Sequence, residues 1–295
     1  MSARSRELWD EVVQAEGRIR LDLMDRLVEA LLLEVEVDAA VAVKRQQIDD
    51  FREAEMAESW CAAQYELAVL FRNQECESEC FEVLELLVEN LECANTVVAS
   101  CAHTLFGQLN NERLQWARAE IHFRQAVSLL AIGERESLKA LANWGLAEAL
   151  FSQGKLEESI ESYDTSIDLY GLAREPEMVL DVTIELAEQM ELAGMARRAR
   201  KRFEDALTLA RYLELAEVEQ TALHSLARLH LSWQEFDMAE RLLKTVVGMK
   251  SNLCQRIEGV AARYTLSALR RAQGRLVEAI ELERQAQVIG RALGL

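Results

Sequence analysis

The sequence predicts an all-α protein, an α-solenoid of stacked antiparallel helix pairs, and three observations lead there. Breakers are scarce, since the 295 residues hold one proline, Pro176, and twelve glycines. A chain of many strands needs a turn signal roughly every 8–12 residues, and this one does not supply them. Half of the residues are hydrophobic and 28% are charged, a balance that supports a packed core rather than disorder. The third observation is a pattern of side-chain sizes that returns every forty positions, as in a row of stacked units.

The repeat justifies the elements in order. Residues 142–167 carry Leu146-Ala147, then Gly154 at a break, then Ser159, Tyr163 and Ser166. Forty residues on stand Leu186-Ala187, Gly194, Ala199, Phe203 and Ala206, followed at the same interval by Leu226-Ala227, Gln234, Ala239, Leu243 and Val246. The series ends with Leu266-Ser267, Gly274, Ala279, Glu283 and Ala286. In the other direction come Phe106-Gly107, Leu114, Ala119, Phe123 and Ala126, and thirty-nine residues earlier Leu67-Ala68, Glu75, Cys80, Leu84 and Leu87. The large-then-small pair on a first helix lets the second helix approach at the small residue. A small, bulky, small set spaced by four and then three lies on one stripe of the second helix. A single pair cannot bury that stripe alone, and stacking makes a continuous core.

This order and spacing resemble the tetratricopeptide repeat, over about residues 60–290, and the resemblance implies a right-handed α-solenoid. The family's usual unit is about 34 residues, so each unit here has extra helical turn or a longer connection. Its closing proline is absent except at Pro176, which is expected to start a helix. Longer units of this kind are similar to those of kinesin light chains, spindle-orienting polarity adaptors and bacterial transcriptional or peptide-sensing regulators. HEAT and armadillo units have about this length, but explain the small, bulky, small signature less well. The expected units are about 60–98, 99–138, 139–178, 179–218, 219–258 and 259–290, forming one continuous solenoid. Residues 1–59 are expected to hold N-terminal helices with a degenerate first repeat or cap. Leu27 falls forty before Leu67 and Ala40 forty before Cys80, which places a degenerate first unit at roughly 20–55, although Lys44 at the bulky core position of its second helix weakens that reading. Residues 4–16 read as an added amphipathic helix with Leu8, Trp9, Val12 and Val13 apolar, and the last helix ends at Gly290 or just before Gly294.

Charge narrows the partners. The chain has 33 basic and 51 acidic residues, a net charge of −18. That disfavours nucleic acid and anionic membranes, both of which need basic surfaces. Residues 1–100 carry most of the net negative charge and could steer a basic segment of a partner. The apolar stretch Leu27 to Val43 is broken by Glu29, Glu34, Glu36 and Asp38, so no membrane span is expected. The opening MSARSRELWDEVV has no apolar core or cleavage site of a signal peptide. With six cysteines in a chain of ample core, reduced thiols and a cytoplasmic location are expected.

Chemistry finds little purchase. A zinc site would pair Cys76 with Cys80 and recruit Cys93, Cys101 or His103, but lacks a second close pair; Cys80 also reads as the small core residue of its unit. His103, His122, His224 and His230 accompany no nucleophile motif, and there is no phosphate loop. The expectation is no enzyme, no metal and no cofactor. Arg197, Arg198, Arg200, Lys201 and Arg202 form the one basic cluster. It is either a solvated surface or a contact for an acidic segment, including this protein's own, so self-association is possible.

The resemblance implies that first helices line a concave groove. Carrying the inward columns along by the period gives Tyr65, Thr104, Trp144, Ile184, His224 and Tyr264, then Val69, Gln108, Glu148, Glu188, Arg228 and Ala268. The third row is Arg72, Asn111, Phe151, Glu191, Leu231 and Arg271. The candidate partner-binding residues are Tyr65, Arg72, Gln108, Asn111, Trp144, Glu148, Phe151, Glu188, His224, Arg228, Tyr264 and Arg271. Aromatic anchors among polar groups suit a peptide or partner helix, although Trp144 and Phe151 serve equally as packing between units. The repeated Lys and Asn residues that clamp a chaperone tail are missing. The sequence therefore points to an interaction scaffold or adaptor, with a peptide-responsive regulator and an accessory subunit of an enzyme or effector complex as alternatives.

Overall fold

A computed structural model describes residues 2–131, 135–249 and 253–294. Fifteen α-helices, one 3-10 turn and no strand are found among them. In chain order they are α1 (Ala3–Gln14), α2 (Gly17–Leu33), α3 (Val37–Glu53), α4 (Ala57–Asn73) and α5 (Glu77–Val88), then the 3-10 turn Leu91–Cys93. There follow α6 (Thr96–Glu112), α7 (Trp116–Leu129), α8 (Glu136–Ser152), α9 (Leu156–Ala173) and α10 (Pro176–Leu192). The last five are α11 (Ala196–Tyr212), α12 (Ala216–Ser232), α13 (Phe236–Gly248), α14 (Leu253–Ala272) and α15 (Leu276–Leu293). Two compact units, residues 1–162 and 163–295, meet within α9.

In the first unit α2 packs on α3, α4 on α5 and α6 on α7, and each second helix also packs on the next first helix. First helices touch one another as well, α4 against α6 and α6 against α8. The second unit repeats the scheme with α10 on α11, α12 on α13, α14 on α15, and α12 against α14. This is helix-hairpin repeat architecture, and the reason lies in the small, bulky, small stripe. Cys80, Leu84 and Leu87, or Ala119, Phe123 and Ala126, are fully buried. At the small positions the second helix reaches the backbone of the first: Cys80 Sγ donates to the carbonyl of Ala68 at 3.2 Å, and Ser159 Oγ to that of Ala147 at 2.8 Å.

The forty-residue unit is two halves of twenty. A residue in the left-handed region closes helices at Val35, Glu55 and Glu75, at Gly154, Arg174 and Gly194, and at Glu214 and Gln234. The following amide reaches back one turn, as Glu36 does to Leu31 at 2.9 Å and Met56 to Phe51 at 2.9 Å. These are αL caps that satisfy the last carbonyls of the helix. Glycine meets the requirement without strain at Gly154 and Gly194, both with φ of 77°. The register slips to thirty-nine where α5 stops after 12 residues and the 3-10 turn replaces its last turns.

Lys44 shows how the N-terminal segment accommodates a charge in its core. It does occupy the bulky core position of α3 and is buried, which the sequence counted against a regular pair. Its ammonium is compensated there: it donates to Asp25 Oδ1 at 3.0 Å, Glu66 Oε2 at 2.7 Å and Gln47 Oε1 at 2.8 Å. A buried charge is tolerated when its donors are all used, and α2 and α3 pair like the others. On α1, Leu8 and Val12 join this core while Trp9 and Val13 stay exposed. Pro176 begins α10, and α15 closes at Gly294 with φ of 77°.

Candidate functional site

Within the first unit, α4, α6 and α8 carry seven of the expected groove residues on neighbouring first helices. Tyr65 and Arg72 are half-buried on α4, Gln108 likewise on α6, and Trp144, Glu148 and Phe151 on α8. Polar contacts tie these helices together. Arg72 Nη1 donates to Glu112 Oε2 at 2.7 Å and its Nη2 to Glu112 Oε1, a bidentate pair from α4 to α6. Asn111 Nδ2 on α6 donates to the Gly145 carbonyl at 3.2 Å and to Glu148 Oε2 at 3.3 Å. Asn111 is itself buried, so it acts first as a brace that orients Glu148 beside Trp144 and Phe151. Burial pushes the Tyr65 hydroxyl up to about 12, so it stays protonated as a donor. The face thus offers half-buried rings alternating with fixed polar groups.

The second unit holds the other five on α10, α12 and α14. Glu188, Arg228, Tyr264 and Arg271 are exposed. Arg228 Nη2 donates to Glu191 Oε2 at 2.7 Å, joining α12 to α10. Arg271 pairs with Glu283 of α15 at 2.7 Å. Partial desolvation raises the Glu188 carboxyl above its ordinary range; Arg228 opposes this and the carboxylates of Glu185, Glu191 and Glu258 add to it. His224 departs from the expectation of a groove-lining ring. It is buried between α12 and α14, with Nδ1 3.2 Å from Glu258 Oε2 and Nε2 3.0 Å from Thr265 Oγ1. The hydrogen bond from His224 holds Glu258 below the usual carboxylate range. Both ring nitrogens are engaged, because α14 approaches closely enough to cover the position.

The remaining candidates resolve simply. His103, expected near the groove, turns instead to α7, where its Nδ1 lies 3.1 Å from that of His122 and the rings stack at 5.3 Å. Burial, and then His122, lowers His103 to about 4, so the ring is neutral at pH 7. Among the described residues no group of three or more His, Cys, Asp or Glu side chains is arranged to hold a metal ion. In the basic cluster Arg202 pairs with Asp164 at 2.5 Å, Arg200 lies beside Glu204 at 3.4 Å and its guanidinium sits 5.6 Å from the Trp233 ring centre. Among the described residues no helix is long and apolar enough to cross a membrane. The sequence reading missed Glu112, Glu258, Thr265 and Glu283, the partners that fix the expected residues in place.

No protein-family model matches the sequence, and no curated protein matches it. Solved structures do. A signal-transduction ATPase from Pyrococcus horikoshii with a tetratricopeptide repeat sensor is 12% identical with a TM-score of 0.69, over 97% of this chain and 45% of that one. The chain therefore spans less than half of that protein. RapI in its apo form is 11% identical with a TM-score of 0.68, over 92% of this chain and 77% of its own. A protein of Podospora anserina described as a kinesin light chain with nearly identical TPR-like repeats is 19% identical with a TM-score of 0.54, over 66% and 96%. At these identities the likeness concerns the fold, and the fold is that of the tetratricopeptide-type repeat proteins.

Proposed function

We propose that the chain is a non-catalytic, cytoplasmic interaction scaffold that holds a peptide or partner protein along the inner faces of its first helices. One observation carries the reading: on α8, Trp144 and Phe151 stand half-buried on either side of Glu148, which Asn111 braces from α6. Rigid aromatic anchors beside an oriented acceptor are what a docked segment needs, because little ordering remains to be done on binding. Tyr65, Arg72 and Gln108 extend this face in the first unit, and Glu188, Arg228, Tyr264 and Arg271 supply a corresponding face in the second. The carboxylates favour a basic segment in the partner, whereas the net charge of −18 works against nucleic acid. The reading uses neither cofactor nor metal. The test is affinity capture with the wild-type chain and with Trp144→Ala/Glu148→Gln, read by mass spectrometry. The double variant keeps the helical circular dichroism and loses the partner; unchanged capture refutes the assignment to this face.

A second reading, a ligand-responsive regulator, is favoured by the likeness to a tetratricopeptide repeat sensor over 97% of this chain. It expects the radius of gyration to change on adding a binding peptide. An unchanged radius with a peptide that binds refutes it and leaves the scaffold reading in place.

A further inference from the structure

The 3-10 turn Leu91–Cys93 does more than interrupt α5. Beside it lies a cavity of about 410 Å³ in the first unit, lined by Phe51 and Trp60 on its apolar side and by Asn90, Cys61 and Cys93. Cys61, on α4, is only 1% exposed, and its Sγ lies 3.6 Å from the carbonyl oxygen of Asn90. Asn90 precedes Cys93 by three residues, across the turn that packs on α4. Cys93 is exposed on the same cavity. The other described thiols are placed elsewhere: Cys80 against the Ala68 carbonyl, Cys76 against that of Gln74 at 3.6 Å, and Cys101 beside Tyr65. One buried and one open thiol thus share a single wall, and the open one sits on the short 3-10 turn.

We propose that Cys61 and Cys93 close to a reversible disulfide on oxidation, which makes this cavity a thiol modification site. Glutathione disulfide is the oxidant class considered. The Cys93 thiolate attacks one of its sulfurs, the glutathione S–S bond breaks, a mixed disulfide forms on Cys93 and one glutathione leaves. Cys61 then loses its proton and attacks the Cys93 sulfur, releasing the second glutathione. Two cysteine thiols are oxidised, one glutathione disulfide is reduced to two thiols, and the two protons pass through solvent to the leaving groups. A disulfide needs Cα atoms within about 4.4–6.8 Å, and the shared cavity wall and the effect of Cys93 on Cys61 place the two thiols as neighbours across the short turn. Cys61 is the slower partner, because burial and then the nearby Cys93 raise its pKa above the ordinary thiol range.

The experiment exposes the whole chain to glutathione disulfide at pH 7 and pH 8, blocks remaining thiols, and maps linked peptides by mass spectrometry. The expected product links the peptides of Cys61 and Cys93, and dithiothreitol reverses it. Closure from the mixed disulfide is about tenfold faster at pH 8 than at pH 7, in line with the thiolate fraction. Cys93→Ser yields no linked product, while Cys61→Ala, a small apolar replacement that keeps the helical signal, stops at glutathione on Cys93. A wild-type chain that stops at that mixed disulfide, or that links Cys61 to another cysteine, overturns the proposal.

Discussion

Phe123 shows how closely the first unit is packed, and Gly145→Ala measures it. The ring is fully buried, with Gly107 of α6 and Gly145 of α8 against it. A methyl group on Gly145 would stand 2.3 Å from Phe123 Cζ and 2.4 Å from Cε1, while one on Gly107 would stand 2.9 Å away. Favourable carbon contacts begin near about 3.5 Å, so the ring would have to retreat by roughly an ångström within a site that has no room. Alanine in a helix interior otherwise contributes about 1 kcal/mol relative to glycine. Overpacking costs about 1–3 kcal/mol and its upper range applies to a rigid aromatic ring, so the net effect is a loss of about 1–2 kcal/mol. Urea denaturation followed by circular dichroism reads this directly. In a Phe123→Leu background the obstacle is gone, and the same substitution becomes neutral or stabilising, a coupling of about 1–3 kcal/mol. Gly171→Ala is the control, because nothing lies within 4 Å of its added carbon and its φ is not left-handed; it gains a few tenths to about 1 kcal/mol. A Gly145→Ala chain as stable as wild type, with Phe123 present, refutes the packing argument.

Three further outcomes are expected. Lys44→Leu, which supplies the leucine found at the equivalent Leu84 and Leu243, is neutral or stabilising by up to about 3 kcal/mol because Asp25 and Glu66 stay half in water, whereas Lys44→Ala loses about 2–4 kcal/mol; a large loss with leucine refutes the alignment. His103, held near 4 when folded against 6.5 ordinarily, is fully stabilising above pH 6.5 and loses its contribution as pH falls from 6.5 towards 4, since the unfolded chain then binds the extra proton. Urea midpoints therefore drop between pH 7 and pH 5, with a slope of at most about 1.4 kcal/mol per pH unit from this ring, and an equal slope in His103→Asn refutes its role. Val35→Gly relieves a β-branched residue held at a φ of 61°, a cost of about 1–2 kcal/mol only partly offset by glycine's greater freedom when unfolded, so the melting temperature rises; a fall refutes the strain.

The repeat was legible because the small positions leave no choice. Ala199 and Ala239 had to lie where two helices meet, and both are fully buried. The twenty-residue half-period was not, because glycine marks only some of the left-handed caps. Glu55, Arg174, Glu214 and Gln234 adopt the same conformation without any compositional signal, since the cap is demanded by the geometry of the turn and the residue yields to it. Lys44 was misjudged for a related reason: its acidic partners lie 19 and 22 residues away on flanking helices, and spacing alone does not reveal a buried ion triplet.

The groove residues were harder, because periodicity gives the phase of a helix but not the distance to its neighbour. His224 is in phase with Trp144 by the repeat, yet His224 is buried with Thr265 of the adjacent first helix 3.0 Å from its Nε2, whereas Trp144 is half-buried on α8. The missed partners nonetheless follow a rule. Asn111 with Glu148, Arg228 with Glu191, His224 with Glu258 and Arg72 with Glu112 are separated by 37, 37, 34 and 40 residues, about one unit each. Neighbouring first helices run parallel one unit apart, so complementary groups at that separation meet across the seam. This changes what the proposed binding face would present. In the first unit Arg72 is engaged by Glu112, and in the second Arg228 and Arg271 are engaged by Glu191 and Glu283. Cations that read as recognition groups therefore already have carboxylate partners, and an acidic ligand would have to displace them. Glu188 is exposed beside Arg228 and near the carboxylates of Glu185, Glu191 and Glu258, so a basic segment there would compete with Arg228 while being drawn by the acidic groups. For the proposed scaffold, a basic partner would thus gain from this local excess of carboxylates around Glu188 as well as from the net charge of the chain.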